Sequence, residues 1–187
     1  TELGFAKVSS MKGAVAGTIR DYVAGGGYLF TMCSGTDSYD IALAAAGVDI
    51  CAPEFDHDAV DPGWPQKLNY PSGFAFEDYK LITDPNVYEF SDIDATDIHG
   101  GIGETRDFFT LFDFSAKWDV IPSMLCQNHE QVIHGFMGQT TAFRKSLVKP
   151  GVLVMGENKP QSTVKFIHGE FGLGQWTYYG GHDPEDY

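Results

Sequence analysis

Basic residues are scarce in this chain. Its 187 residues hold 12 Lys and Arg against 26 Asp and Glu, a formal net charge of −14. Contacts to nucleic-acid phosphates or to an anionic membrane surface need clustered Lys and Arg, so the imbalance argues against both as partners. Long apolar runs are missing too. No stretch approaches the roughly 20 residues of a membrane span, and no signal peptide is visible. Cysteine is sparse: Cys33, Cys51 and Cys126 leave one over if two are bridged, and their wide spacing suggests neither a disulfide framework nor a zinc knuckle. There is no internal repeat and no low-complexity segment. Aromatic residues, by contrast, are plentiful, with 14 Phe, nine Tyr and three Trp. They suit a rigid core, and in loops they offer flat surfaces for a sugar or a similar ligand. The length suits one domain over residues 1–187.

The spacing of Met11, Val15, Ile19 and Tyr22 predicts a helix from Ser10 to Ala24, capped by Ser9 or Ser10 and stopped by Gly25 to Gly27. The apolar run from Tyr28 to Cys33 reads as an interior strand buried on both faces, and an alanine-rich helical stretch follows from Tyr39 to Ala46. Helix, strand, turn and helix in this order predict an α/β fold with a mainly parallel, twisted sheet and helices on both faces. Val48 to Cys51 reads as a short strand or an extended exit from the second helix. Pro53 to Pro71 and Ser91 to Arg106 are irregular, and long loops of this kind often border sites. Strand-like runs lie at Phe74 to Phe76, Phe108 to Phe114, Val120 to Leu125, Val132 to Met137 and Val152 to Met155. Val164 to His168 and Gln175 to Tyr179 form a hairpin around Gly172-Leu173-Gly174, a turn longer than the tightest type. A central strand ending at Cys33 calls for strands before it, yet only a helix precedes it. The expectation is the carboxyl-terminal part of a larger protein, without its first strands.

Cys33 is the leading chemical candidate. It stands where an apolar strand runs into a helix, and the N–H groups at a helix amino terminus favour a thiolate there. A cysteine nucleophile needs a base and a group to orient that base. His182 directly follows the last strand, with Asp183 or Glu185 at hand to orient it, and the Ser34 N–H is placed for an oxyanion hole. The competing reading makes Cys33 a small core residue and His182 part of a polar turn. Ser34-Gly35-Thr36-Asp37-Ser38 resembles the S-G-G-x-D-S loop of ATP pyrophosphatases, but is one residue short and lacks the second glycine that lets backbone approach phosphate. Gly25-Gly26-Gly27 precedes its strand and is explained by helix termination. Asp56-His57-Asp58 is a dense donor run, and His129 and His134 are five apart rather than four, so no catalytic metal and no cofactor is expected.

Tyr22-Val23 before Gly25-Gly26-Gly27, the strand ending at Cys33, and the Gly172-x-Gly174 hairpin leading to Gly181-His182-Asp183 resemble the trehalose-utilisation (ThuA-like) branch of the class I glutamine amidotransferase-like superfamily. Nearly the whole chain is similar to uncharacterised bacterial proteins labelled asparagine synthetase B. Met32-Cys33-Ser34, Thr36-Asp37, Asp113 to Trp118, Gly135 to Thr141 and Gly180 to Tyr187 carry that likeness. The resemblance implies a flavodoxin-like sheet with a nucleophile elbow. It also implies an exported protein of about twice this length. Cys33 and Gly35 match the superfamily's G-x-C-x-G, with Thr31 at the first glycine. His182-Asp183-Pro184-Glu185 is one residue longer than its H-P-E. The readings that follow are a Cys33–His182 hydrolase or transferase acting on an amide, ester or sugar-derived substrate, and a non-enzymatic carbohydrate-binding or accessory module. An ATP-dependent synthetase-like enzyme is a third, resting on the loop at Ser34 to Ser38. The candidate catalytic residues are Cys33, His182 and Glu185, with Ser34, Gly35 and Asp183 as binding residues.

Overall fold

Three consecutive glycines end the first helix and turn the chain into its first strand. In the computed structural model, which describes residues 4–96, 108–111, 132–135, 138, 140 and 142–181, helix α1 spans Val8–Ala24. The Gly27 N–H donates to the Tyr22 carbonyl at 3.0 Å and the Gly26 N–H to that of Val23 at 2.9 Å. These are the two bonds of a Schellman stop, with Gly26 at φ +109°, which L side chains resist. The other end departs from expectation: the cap is Lys7, not Ser9 or Ser10, and no side chain caps it. The buried stripe is Ala16, Ile19 and Val23, whereas Val15 and Tyr22 are exposed. Helical spacing was satisfied by both stripes, and the one with small residues packs inward.

Strand β1 (Tyr28–Met32) follows, then a single 3-10 turn (Cys33–Gly35) and helix α2 (Asp37–Ala44), two residues earlier than the alanine pattern suggested. The long irregular segment holds a one-turn helix α3 (Pro53–Asp56) and 3-10 turns at Trp64–Lys67 and Tyr70–Ser72. Val48 to Cys51 forms no strand, and Phe74 to Phe76 contributes only a bridge from Phe76 to Val148. The remaining strands are β2 (Phe108–Leu111), β3 (Val132–His134), β4 (Phe143–Arg144), β5 (Leu153–Asn158), β6 (Thr163–Phe171) and β7 (Gly174–Tyr179). The expected strand at Val120 to Leu125 lies outside the described residues.

The fold is mixed α/β with one seven-stranded sheet in the order β1-β7-β6-β5-β2-β3, and β4 also pairs with β6. Among the described residues only β1 and β7 pair in parallel; every other pairing is antiparallel. The mainly parallel sheet is therefore corrected. The expected burial of β1 on both faces is corrected too, since Tyr28 and Phe30 are exposed; among the described strands β1 pairs with β7 alone. An apolar run of five residues signals a strand, but not how many neighbours it has. The hairpin is tighter than expected, because Phe171 pairs with Gly174 and leaves only Gly172-Leu173 between.

Alternation along β6 and β7 sorts the core onto two faces. Ile167, Trp176 and Tyr178 meet both long helices and the Phe74 to Tyr79 segment in the main core. There Phe74 stacks on Trp176 at 5.9 Å, and Trp176 meets Tyr178 at 4.7 Å. Phe166, Met155 and Tyr179 form a smaller cluster on the opposite face. Both long helices thus join one cluster, and helices on both faces are not seen among the described residues. Nor is any described helix long and apolar enough to cross a membrane.

Candidate functional site

Cys33 holds a backbone conformation that few cysteines adopt. Its φ is +56°, in the left-handed region, directly after the extended Met32. A non-glycine residue there costs about 1–2 kcal/mol, and such strain recurs where a strand turns sharply to present a side chain. The turn is held by its own bonds. The Cys33 carbonyl accepts from the Thr36 hydroxyl at 2.7 Å and from the Thr36 N–H at 3.1 Å. Cys33 is half-buried and in no disulfide. Ser34 is half-buried, Gly35 is exposed, and the Ser38 hydroxyl donates back to the Ser34 carbonyl.

Behind the elbow lies a buried knot that sequence reasoning did not single out. The Asp37 carboxylate accepts from the Ser38 N–H at 2.9 Å and from the Thr140 hydroxyl at 3.1 Å, while its second oxygen is buried without a hydrogen bond. The Thr140 N–H donates to Asp94 at 3.0 Å, whose other oxygen accepts from the Thr96 hydroxyl and N–H. The Thr140 carbonyl accepts from the Gly181 N–H at 3.0 Å. Thr140 thereby ties the start of α2, the Asp94 loop and the exit of β7 together. Burial pushes Asp37 up to about 7, helped by the neighbouring Asp94 charge. Burial likewise raises Asp94 above the ordinary carboxylate range, against the pull of the Thr96 bonds. Asp37 has a further effect: it already occupies an N–H of the helix amino terminus that was expected to favour the thiolate.

Tyr88 is a second residue that the sequence did not reveal. Burial is the main cause that raises its phenol above the ordinary tyrosine range, with Cys33, Asp94 and Glu89 adding to it. The Asp94 loop was noted as irregular, but nothing in its spacing pointed toward Cys33.

Of the residues singled out from sequence, the structure describes Cys33, Ser34 and Gly35, all on one turn. His182, Asp183 and Glu185 lie outside the described residues, as does Cys126. What the structure does describe is the approach to them. β1 and β7 run side by side in the same direction, with Met32 opposite Tyr179. Cys33 and Gly180-Gly181 therefore leave neighbouring strands, about 4.8 Å apart, at the same end of the sheet. Of the pyrophosphatase-like loop, Thr36 and Asp37 are fully buried and bonded internally, which leaves Ser34, Gly35 and Ser38 to meet a ligand. Among the described residues no three His, Cys, Asp or Glu side chains converge as metal ligands, the Asp56-His57-Asp58 run included. No family model, no curated protein and no solved structure matches the chain.

Proposed function

We propose that this chain is an amidotransferase-like α/β domain in which Cys33 acts as a nucleophile on an amide, ester or sugar-derived carbonyl. The observation that carries this reading is the left-handed Cys33 at the end of β1, beside the parallel strand that leads to His182. Strand, strained turn and helix are the parts of a nucleophile elbow. The parallel β1–β7 pair followed by α2 is also the part of the sheet that agrees with a flavodoxin-like arrangement. In this reading His182 takes the thiol proton, Glu185 orients the imidazole, and the Ser34 N–H meets the developing oxyanion. Asp183 and Gly35 border the substrate.

Alkylation kinetics test it. Iodoacetamide near neutral pH, followed by peptide mass spectrometry, should modify Cys33 at least ten times faster than Cys51 or Cys126 in the folded protein. Burial raises the Cys51 thiol, with Asp56 adding to it, so Cys51 is a slow internal reference. Replacing His182 with Ala, which removes the group that takes the thiol proton, should slow the Cys33 reaction by about tenfold or more. Equal labelling of the three cysteines, or indifference to His182, makes the elbow architecture only and leaves the cleft to a carbohydrate-binding module.

A further inference from the structure

Thr140 is the second strained residue of the candidate site. Its φ is +55°, close to that of Cys33, and a β-branched side chain in the left-handed region is an outlier. Strain of this kind persists where surrounding bonds over-determine it, and it concentrates at functional sites. At Thr140 every polar group is engaged. The N–H donates to Asp94 at 3.0 Å, the hydroxyl to Asp37 at 3.1 Å, and the carbonyl accepts from the Gly181 N–H at 3.0 Å. Asp37 belongs to the elbow side of the site. It is fully buried, opens α2, and directly follows Thr36, which bonds the Cys33 carbonyl twice. Gly181 belongs to the β7 side. The Gly180 N–H still donates to the Lys165 carbonyl of β6 at 2.7 Å, whereas the Gly181 N–H donates to Thr140. Thr140 thus takes the chain over from the sheet immediately before His182. The route from the Cys33 turn to the β7 exit runs through bonds alone: Cys33, Thr36, Asp37, Thr140, Gly181.

We propose that Thr140 is a positioning residue, whose hydroxyl bond to Asp37 sets the β7 exit, and with it His182, against the Cys33 turn. This rests on the reading of Cys33 as nucleophile and His182 as base. The N–H bond to Asp94 holds Thr140 to a neighbouring loop; the hydroxyl is the group that reaches α2 and the elbow. Proton transfer from thiol to imidazole needs the two heavy atoms within about 2.6–3.2 Å, so a small drift of the exit is costly to reactivity. Stability responds differently. Removing the side chain loses one buried bond but also relieves the left-handed strain, and the two changes oppose each other.

Thr140→Gly in the full chain tests the proposal, because glycine takes this φ freely and keeps both backbone bonds while losing the hydroxyl. Iodoacetamide should modify Cys33 about ten times more slowly in this variant, a loss like that of His182→Ala, with the Cys51 rate unchanged. Thr140→Ser, which restores the hydroxyl, should return the Cys33 rate to within about twofold of the wild type. Thr140→Gly added to His182→Ala should slow Cys33 no further than His182→Ala alone. A positioning residue has no effect once the group it positions is gone. A wild-type Cys33 rate in Thr140→Gly, an equal loss in Thr140→Ser, or losses that multiply in the double variant overturns the positioning role and leaves the nucleophile standing. A Cys33 no faster than Cys51 in the wild type, or indifferent to His182→Ala, removes the nucleophile, and the role of Thr140 goes with it.

Discussion

A single residue, Cys33, carries most of the chemical weight, and its backbone carries a measurable cost. With φ at +56°, any β-carbon at this position is strained, whereas glycine is not. Cys33→Gly should therefore be more stable than Cys33→Ala by about 1 kcal/mol, read as a shift in urea midpoint at constant slope. If alanine proves equal or better, the left-handed turn is not imposed on the folded state. Cys33 was legible in the sequence because strand, turn residues and helix follow one another within a few positions. Thr140 was not. It meets Asp37 across 103 positions, and no local pattern announces a pairing at that distance.

At the scale of elements, legibility follows periodicity. The β6–β7 hairpin could be read directly, since alternation and a glycine turn act within about 15 residues. Helix α1 could be located but not oriented, because its spacing fits two stripes and tertiary packing chooses between them. The choice is enforced where α1 meets the hairpin. A β-carbon on Gly174 would come within 2.0 Å of the Val23 carbonyl oxygen and 2.3 Å of that of Gly27, both on backbone that cannot swing aside. Gly174→Ala should cost about 3 kcal/mol in chemical denaturation. A loss below about 1 kcal/mol would show that α1 and β7 are less closely seated than described. The sheet's direction was misjudged for a related reason. Hydrophobic runs record burial, and strand orientation depends on partners far along the chain.

For the whole molecule, acidity sets the response to pH. Asp37 is raised to about 7 and Asp40 to about 6, both chiefly by burial. Unfolded aspartate titrates near 4, so the native state holds protons that the unfolded chain releases between about pH 4 and 7. The stability this provides is fully present below about pH 4 and is lost as pH rises through 7. Lowering pH from 7.5 to 5 should raise the unfolding free energy, read from urea titrations, by an amount on the order of 2–4 kcal/mol. Relief of the −14 net charge acts in the same direction. Asp37→Asn separates the two: it should stabilise the protein at pH 7.5, flatten the slope between pH 6 and 7.5, and gain nothing near pH 4. An unchanged slope in that variant assigns the effect to surface charge alone. The parallel seam between β1 and β7 has a temporal meaning as well. Tyr28 is in register with Gln175, so nearly 150 residues must be translated before β1 meets its neighbour. At roughly 5–20 residues per second, that delay is about seven to thirty seconds. Throughout it the backbone N–H and C=O groups of Tyr28 to Met32 that β7 later engages stay without that partner, and the exposure of this strand to wrong pairing lasts as long as synthesis does.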